Sequence, residues 1–257
     1  MTDSGNGLPD TVRGFPQTPA GSVAAVGGKV TEYTTLAAGP DVRHELTIRR
    51  SRFITVLRRV GDEDGARSLV AEVRREYHDA RHHCSAFVVG PDRSLQRSND
   101  DGEPAGTAGL PMLDALVKWN SSRQLPGAAP ATDLSDVCAV VVRYFGGVLL
   151  GAGGLVRAYS DSVSQALDHA VLVRRRRLRR CTVGVPHAVA GRLENELRQA
   201  GFLMTGNRYD ARITALGLAV EDSPAALEDA RVRLAALSAG AAELVLGGTE
   251  WADVPYS

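Results

Sequence analysis

Three stretches of this 257-residue chain carry residue types that could do chemistry. The first is Arg143-Tyr144-Phe145-Gly146-Gly147, continuing through Gly151-Ala152-Gly153-Gly154-Leu155-Val156-Arg157. A strand, a glycine-rich turn and a helix start aim backbone N–H groups and the positive end of a helix dipole at an anion. Arg143 and Arg157 flank that loop, and guanidinium groups hold phosphate bidentately. No Gly-Lys-Ser/Thr follows, so the loop is not a P-loop, and Val156 stands where a dinucleotide fingerprint from Gly151 and Gly153 needs its third glycine. The candidate anion-binding residues are Arg143, Gly146, Gly147, Gly151, Gly153, Gly154 and Arg157. The competing reading is that the glycines only permit positive φ and close strand–helix packing.

The second stretch is the acidic loop from Asn99 to Gly109. Asp100, Asp101 and Glu103 lie within four residues, a density that suits a cation site or a general base with a raised pKa. The spacing is not that of an EF-hand, and such a loop is as readily a solvated turn capped onto the next helix. The third stretch is His78, His82, His83 and Cys84. Neighbouring strand residues point to opposite faces, so His82 and Cys84 share a face with no third ligand in view. No metal site and no cofactor are expected. His82, Cys84, Asp100, Asp101, Glu103, Thr107 and Tyr144 remain as a candidate cleft facing the glycine loop. A further positive feature is the run Arg174-Arg175-Arg176-Arg177-Leu178-Arg179-Arg180, whose Arg174, Arg175 and Arg176 join the candidate anion-binding set.

The elements that must position these groups follow from periodicity. Short runs at Val30–Leu36, His44–Ile48 and Phe53–Val60 predict strands at the start of a sheet, and Leu69, Val70, Val73 and Tyr77 predict a helix between Asp62 and Ala80. His83–Gly90 reads as a strand, followed by a polar loop and a helix over Thr107–Asn120. Ser121–Asp133 is a Pro/Ala/Ser-rich excursion. The unbroken run Val137 to Val142 predicts a strand buried on both faces, and Leu155, Tyr159, Val163, Ala166 and Leu167 form the stripe of the helix after the glycine loop. The basic junction 174–178 separates this from the order strand Arg179–Val185, helix His187–Ala200, strands Phe202–Tyr209 and Ala211–Val220, helix Pro224–Leu237 and strand Ala242–Glu250. That βαββαβ order is the ferredoxin-like split βαβ pattern. The fold class is α+β in two domains, 29–173 and 179–257, after a disordered leader over 1–28.

Lys+Arg and Asp+Glu both number 30, so the formal net charge is zero. All but Lys29 and Lys118 of the basic residues are Arg. Zero net charge argues against a polyanion partner only if charge is evenly spread. It is not, because residues 186–257 contain six Arg and ten acids, net −4, leaving +4 for residues 1–185. A polyanion should therefore meet the N-terminal domain and the junction, and a protein partner should use the C-terminal domain. Three widely spaced cysteines give no disulfide framework, and nothing in the pattern predicts a signal peptide or membrane segment, so a cytosolic location is expected.

Ser51-Arg52-Phe53, Ala80-Arg81-His82-His83-Cys84-Ser85-Ala86, the loop from Asp100 to Gly109 and the stretch from Arg143 to Tyr159 together closely resemble the IMPACT family, in its bacterial YigZ-like branch. The resemblance implies an N-terminal domain with the ribosomal protein S5 domain 2-like fold, a ferredoxin-like C-terminal domain, and a translation-related regulator associated with RNA or the ribosome. Ala105 stands where many relatives have Ser, which removes a hydroxyl from any serine-based mechanism. Two alternatives stand beside RNA binding: an enzyme acting on a small anionic or phosphorylated ligand between the acidic and glycine loops, and a protein-interaction regulator. No reaction can be assigned to the enzyme reading.

Overall fold

The computed structural model describes residues 30–121 and 131–255. The leader over 1–28 and most of the excursion after Ser121 lie outside the described residues. The chain divides between Val173 and Arg174 into two compact units, together an α+β protein with five described helices.

The first unit is built on a sheet of order β2-β3-β6-β4-β5, every neighbouring pair antiparallel. Its strands are β2 (Val42–Ile48), β3 (Ser51–Arg59), β4 (His82–Val89), β5 (Leu95–Asn99) and the central β6 (Val137–Tyr144). The apolar run of β6 is buried on both faces, as its composition requires. Val137, Ala139 and Val141 join the core under α2 (Gly109–Val117) and α3 (Ala152–Asp168), with Met112, Leu116, Tyr159 and Val163. Cys138, Val140 and Val142 join the opposite core with Ala66, Leu69 and Val73 of α1 (Glu63–Glu76). Helix α1 starts where its acids predict: Asp62 caps it by accepting the Gly65 N–H at 2.8 Å, with Glu63 and Asp64 in the first turn and Arg74 and Arg75 in the last.

Two sequence expectations change here. The polar stretch after Gly90 contains β5, an edge strand held by backbone pairing to β4 from Val89↔Leu95 to Ser85↔Asn99. Its sequence Leu-Gln-Arg-Ser-Asn has one apolar residue and no alternation, because an edge strand this exposed buries little. The run predicted at Val30–Leu36 forms β1 (Glu32–Leu36), but not as a member of this sheet. It is tied instead by Thr34 N–H to the Asp133 carbonyl (3.3 Å), Ser135 N–H to the Thr34 carbonyl (2.9 Å) and Ala37 N–H to the Val171 carbonyl (2.8 Å).

The second unit has the βαββαβ order of β7 (Leu172–Pro186), α4 (His187–Gln199), β8 (Leu203–Tyr209), β9 (Ile213–Glu221), α5 (Pro224–Leu237) and β10 (Leu244–Pro255). Its strands lie in the order β10-β7-β9-β8, the split βαβ arrangement. Alternate residues Cys181, Val183, Val185, Leu216 and Leu218 pack under Ala190, Leu193 and Leu197 of α4 and Ala230 and Leu234 of α5. Ser223 caps α5 through the Ala226 N–H (3.2 Å), with Pro224 opening the helix. The arginine run, expected as a junction, lies inside the continuous strand β7.

Candidate nucleic-acid interface

Antiparallel register gathers several loops at one end of the first unit's sheet. Arg52 pairs with Tyr144, Phe53 with Arg143 and His82 with Arg143. The β2–β3 turn, the start of β4 and the end of β6 therefore meet. Gly146 sits against the turn so closely that a Cβ there would lie 2.1 Å from the Arg50 carbonyl, and its N–H donates to Ser51 Oγ at 3.2 Å. Here glycine is a steric requirement.

At this end the carboxylates of the acidic loop are all engaged by protein groups. Asp100 accepts from the N–H groups of Gly106 (2.7 Å), Ala108 (3.0 Å) and Gly109 (2.7 Å), so its charge closes the loop and faces the start of α2. Burial works to raise its pKa, but the three backbone donors outweigh this and hold it below the usual carboxylate value. Asp101 pairs with Arg74 and accepts the His83 N–H at 2.6 Å, while its carbonyl lies 3.0 Å from His82 Nδ1. Thr107 Oγ1 donates to the Pro104 carbonyl (2.6 Å) within the same turn.

Glu103 joins the acidic loop to the glycine loop. It is 8% exposed and accepts from Arg143 Nη1 (2.7 Å) and the Tyr159 hydroxyl (2.8 Å); Arg143 is 6% exposed. Cys84 Sγ lies 3.3 Å from that hydroxyl and 2.9 Å from the Asp100 carbonyl. Burial pushes the Cys84 thiol up to about 12 and raises Tyr159 as well, so both are protonated at neutral pH. The structure thus brings Cys84, Asp100, Glu103 and Arg143 into one hydrogen-bonded chain, with the thiol in the wrong protonation state for a nucleophile. His82 is half-buried beside it. Tyr144 points elsewhere, donating to Asp79 at 2.6 Å, a bond that with burial raises its pKa to about 12. Among the described residues no group of three or more His, Cys, Asp or Glu could hold a metal ion.

The glycine loop is open to solvent. Gly147 and Gly151 have positive φ (82° and 72°), and Gly151 is the N-cap of α3 without a side-chain acceptor for the free N–H groups. A Cβ at Gly153 would meet open space, and one at Gly154 would lie 3.0 Å from Leu150 Cβ. Leu149 is 81% and Phe145 52% exposed. Arg157, one turn into α3, is exposed and has no hydrogen-bond or ion-pair partner among the described residues. Three more arginines in the same condition, Arg49, Arg50 and Arg81, ring this end and were passed over in sequence reasoning. The signal for the first two was an Arg-Arg dipeptide between strands. Both hold left-handed backbone (φ 45° and 69°) in the two-residue turn closed by Ile48↔Ser51, where Asn-Gly is favoured.

Of the other candidate cations, Arg175 lies 3.7 Å from Asp253 within the second unit, and Arg174 and Arg176 are also partnered.

Fold and site together define a two-unit α+β protein whose first sheet presents, at one end, a glycine loop and unpaired arginines on a buried ionic support. A family model, the Impact N-terminal domain, matches residues 49–167, which hold every element of that end. IMPACT family member YvyE of Bacillus subtilis (strain 168) is 41% identical over 181 residues, 70% of this chain and 76% of that protein. IMPACT family member YigZ of Escherichia coli (strain K12) is 39% identical over 200 residues, 77% of this chain and 90% of that protein. A crystal structure described as that of a hypothetical protein, 34% identical, superposes with a TM-score of 0.53 and covers 85% of this chain and 98% of that one. The chain belongs to the IMPACT family.

Proposed function

We propose that the protein is a translation-related regulator, acting in the cytosol, that binds RNA or the ribosome through the end of its first sheet formed by the glycine loop, Arg49, Arg50, Arg81 and Arg157. The observation that carries this reading is an asymmetry. Asp100, Asp101 and Glu103 are each bound by protein donors, whereas the four arginines around the glycine loop have no partner among the described residues. Positive charge without counter-charge, beside open helix N–H groups, suits phosphate. The left-handed Arg49-Arg50 turn supports it, since bulky residues held in such backbone persist where a surface role requires them. The acidic second unit is the natural place for a protein partner.

Binding of RNA oligonucleotides and ribosomes, followed across a salt titration, tests the proposal. The expected log–log slope is negative, and Arg50→Ala with Arg157→Ala should flatten it by about 1–2 while weakening binding to all sequences alike. Undetectable binding at low salt, or affinity indifferent to salt, would sink it.

A second reading, an enzyme on a small anionic ligand, is favoured by one observation: the acidic and glycine loops do meet, at Arg143–Glu103. Arg143 Nε is buried without a partner, so a ligand oxygen would have one donor waiting. Ligand-dependent thermal stabilisation by phosphorylated metabolites, lost in Arg143→Ala, is its expected sign.

A further inference from the structure

The described phenylalanines Phe53, Phe87 and Phe202 are buried, while Phe145 stands 52% exposed at the mouth of the glycine loop. Its ring does not hang free. The Arg143 guanidinium lies 5.6 Å from its centroid and 5.5 Å from that of Phe53, and Glu103 binds Arg143 through Nη1 at 2.7 Å. An exposed aromatic ring is thereby seated on a buried cation, at the end of the molecule where Arg49, Arg50 and Arg157 are unpaired. Phosphate binding alone gives no reason for an apolar ring there. A polyanion that carries flat rings does, because base–aromatic stacking and backbone charge are what single-stranded sites combine. An A-form duplex keeps its bases stacked and offers such a ring nothing.

We infer that Phe145 is a stacking platform for an unpaired base, so that the polyanion recognised is single-stranded RNA, such as a loop or a strand end, rather than duplex. This rests on the RNA-binding reading above and narrows its ligand. Holding the ring in place before binding reduces the ordering cost on association.

Three probes of equal length separate the contributions at fixed salt: an unstructured 12-nucleotide RNA, an abasic ribose-phosphate chain and an RNA duplex. The protein should bind the unstructured RNA about five- to tenfold more tightly than the abasic chain. Phe145→Ala and Phe145→Leu should both erase that preference, leaving affinity for the abasic chain and the salt slope unchanged, and Phe145→Trp should restore it. Thermal melts should show all three variants folded. If Phe145→Ala binds the unstructured RNA as tightly as the original protein, or duplex is preferred, the stacking role is wrong while salt-dependent phosphate binding survives. If no probe binds, the RNA reading falls and the stacking role with it. Loss of a protein interaction in Phe145→Ala, with RNA binding intact, would overturn the stacking role in favour of a protein-docking surface.

Discussion

The arginines of β7 and those at the end of the first sheet meet opposite fates. In β7 the sequence packs six arginines into seven residues, and the second unit's own acids answer them. Arg177 and Arg179 share Asp222 at 2.6 and 2.8 Å, Arg180 reaches Glu250 at 3.4 Å, and Arg177 also lies over the Trp251 ring. Burial works to raise the Asp222 pKa, but the two guanidinium groups prevail and hold it below its usual value. The excess of acid over base in residues 186–257 is thus in part the counter-charge of this strand. Around the glycine loop, four arginines scattered across 109 positions of sequence come together in space with no such answer. Density of charge along a chain and availability of charge on a surface are different quantities, and the fold decides the second.

The sharpest way to break this contrast is to remove one member of each kind. Glu103→Leu strands Arg143 in the first unit, and Asp222→Leu strands Arg177 in the second; in both pairs the side chains are almost wholly buried. Each should cost about 3–5 kcal/mol, because an uncompensated buried charge is left behind. Arg157→Ala, by contrast, should change stability by no more than about 0.5 kcal/mol. Urea unfolding of the three variants measures this, and an Arg157 variant as damaging as the others would mean that its charge is structural.

How much of this was legible depends on what kind of interaction made it. Val137 to Val142 announced a doubly covered strand, and Ser223-Pro224 announced a helix start, because burial and capping leave local marks. Strand β5 left none, since backbone pairing to β4 is indifferent to side-chain type. The Glu103–Arg143 contact joins residues forty positions apart, and its two partners were proposed for opposite sides of a cleft when they are one ion pair. Arg49 and Arg50 were overlooked because their meaning comes from the turn and from Gly146 pressing on it, neither of which composition reveals.

The acidic loop offers a pH test of the same contrast. Asp100 has a folded pKa below the ordinary value of about 3.9. Its stabilising contribution is therefore complete above that ordinary value and disappears as pH falls through the lower, folded one. Asp100→Asn keeps the shape but loses the charge that three N–H groups share, and should cost about 1–2 kcal/mol at pH 7. The gap between variant and original protein in urea midpoint should narrow as pH is lowered past 4. A gap that stays constant would show that the loop is held by its geometry and not by the carboxylate's charge.

The expected gain at the β2–β3 turn is small, and it most directly opposes stability to function. Arg49 and Arg50 occupy positive φ at both positions of a two-residue hairpin turn, a conformation that costs an ordinary residue about 1 kcal/mol or more and glycine almost nothing. Replacing the pair by the favoured Asn-Gly dipeptide, through Arg49→Asn and Arg50→Gly, leaves the backbone that Gly146 packs against and relieves the strain. Part of the gain is offset by the greater freedom of glycine in the unfolded chain. The double variant should therefore be more stable by about 1 kcal/mol, read as a raised urea midpoint, while its RNA affinity falls and its salt slope flattens. A variant gaining stability with RNA binding unchanged would remove the turn from the interface and leave the cationic surface to the glycine loop, Arg81 and Arg157; one losing stability would show that the arginine side chains themselves hold the turn.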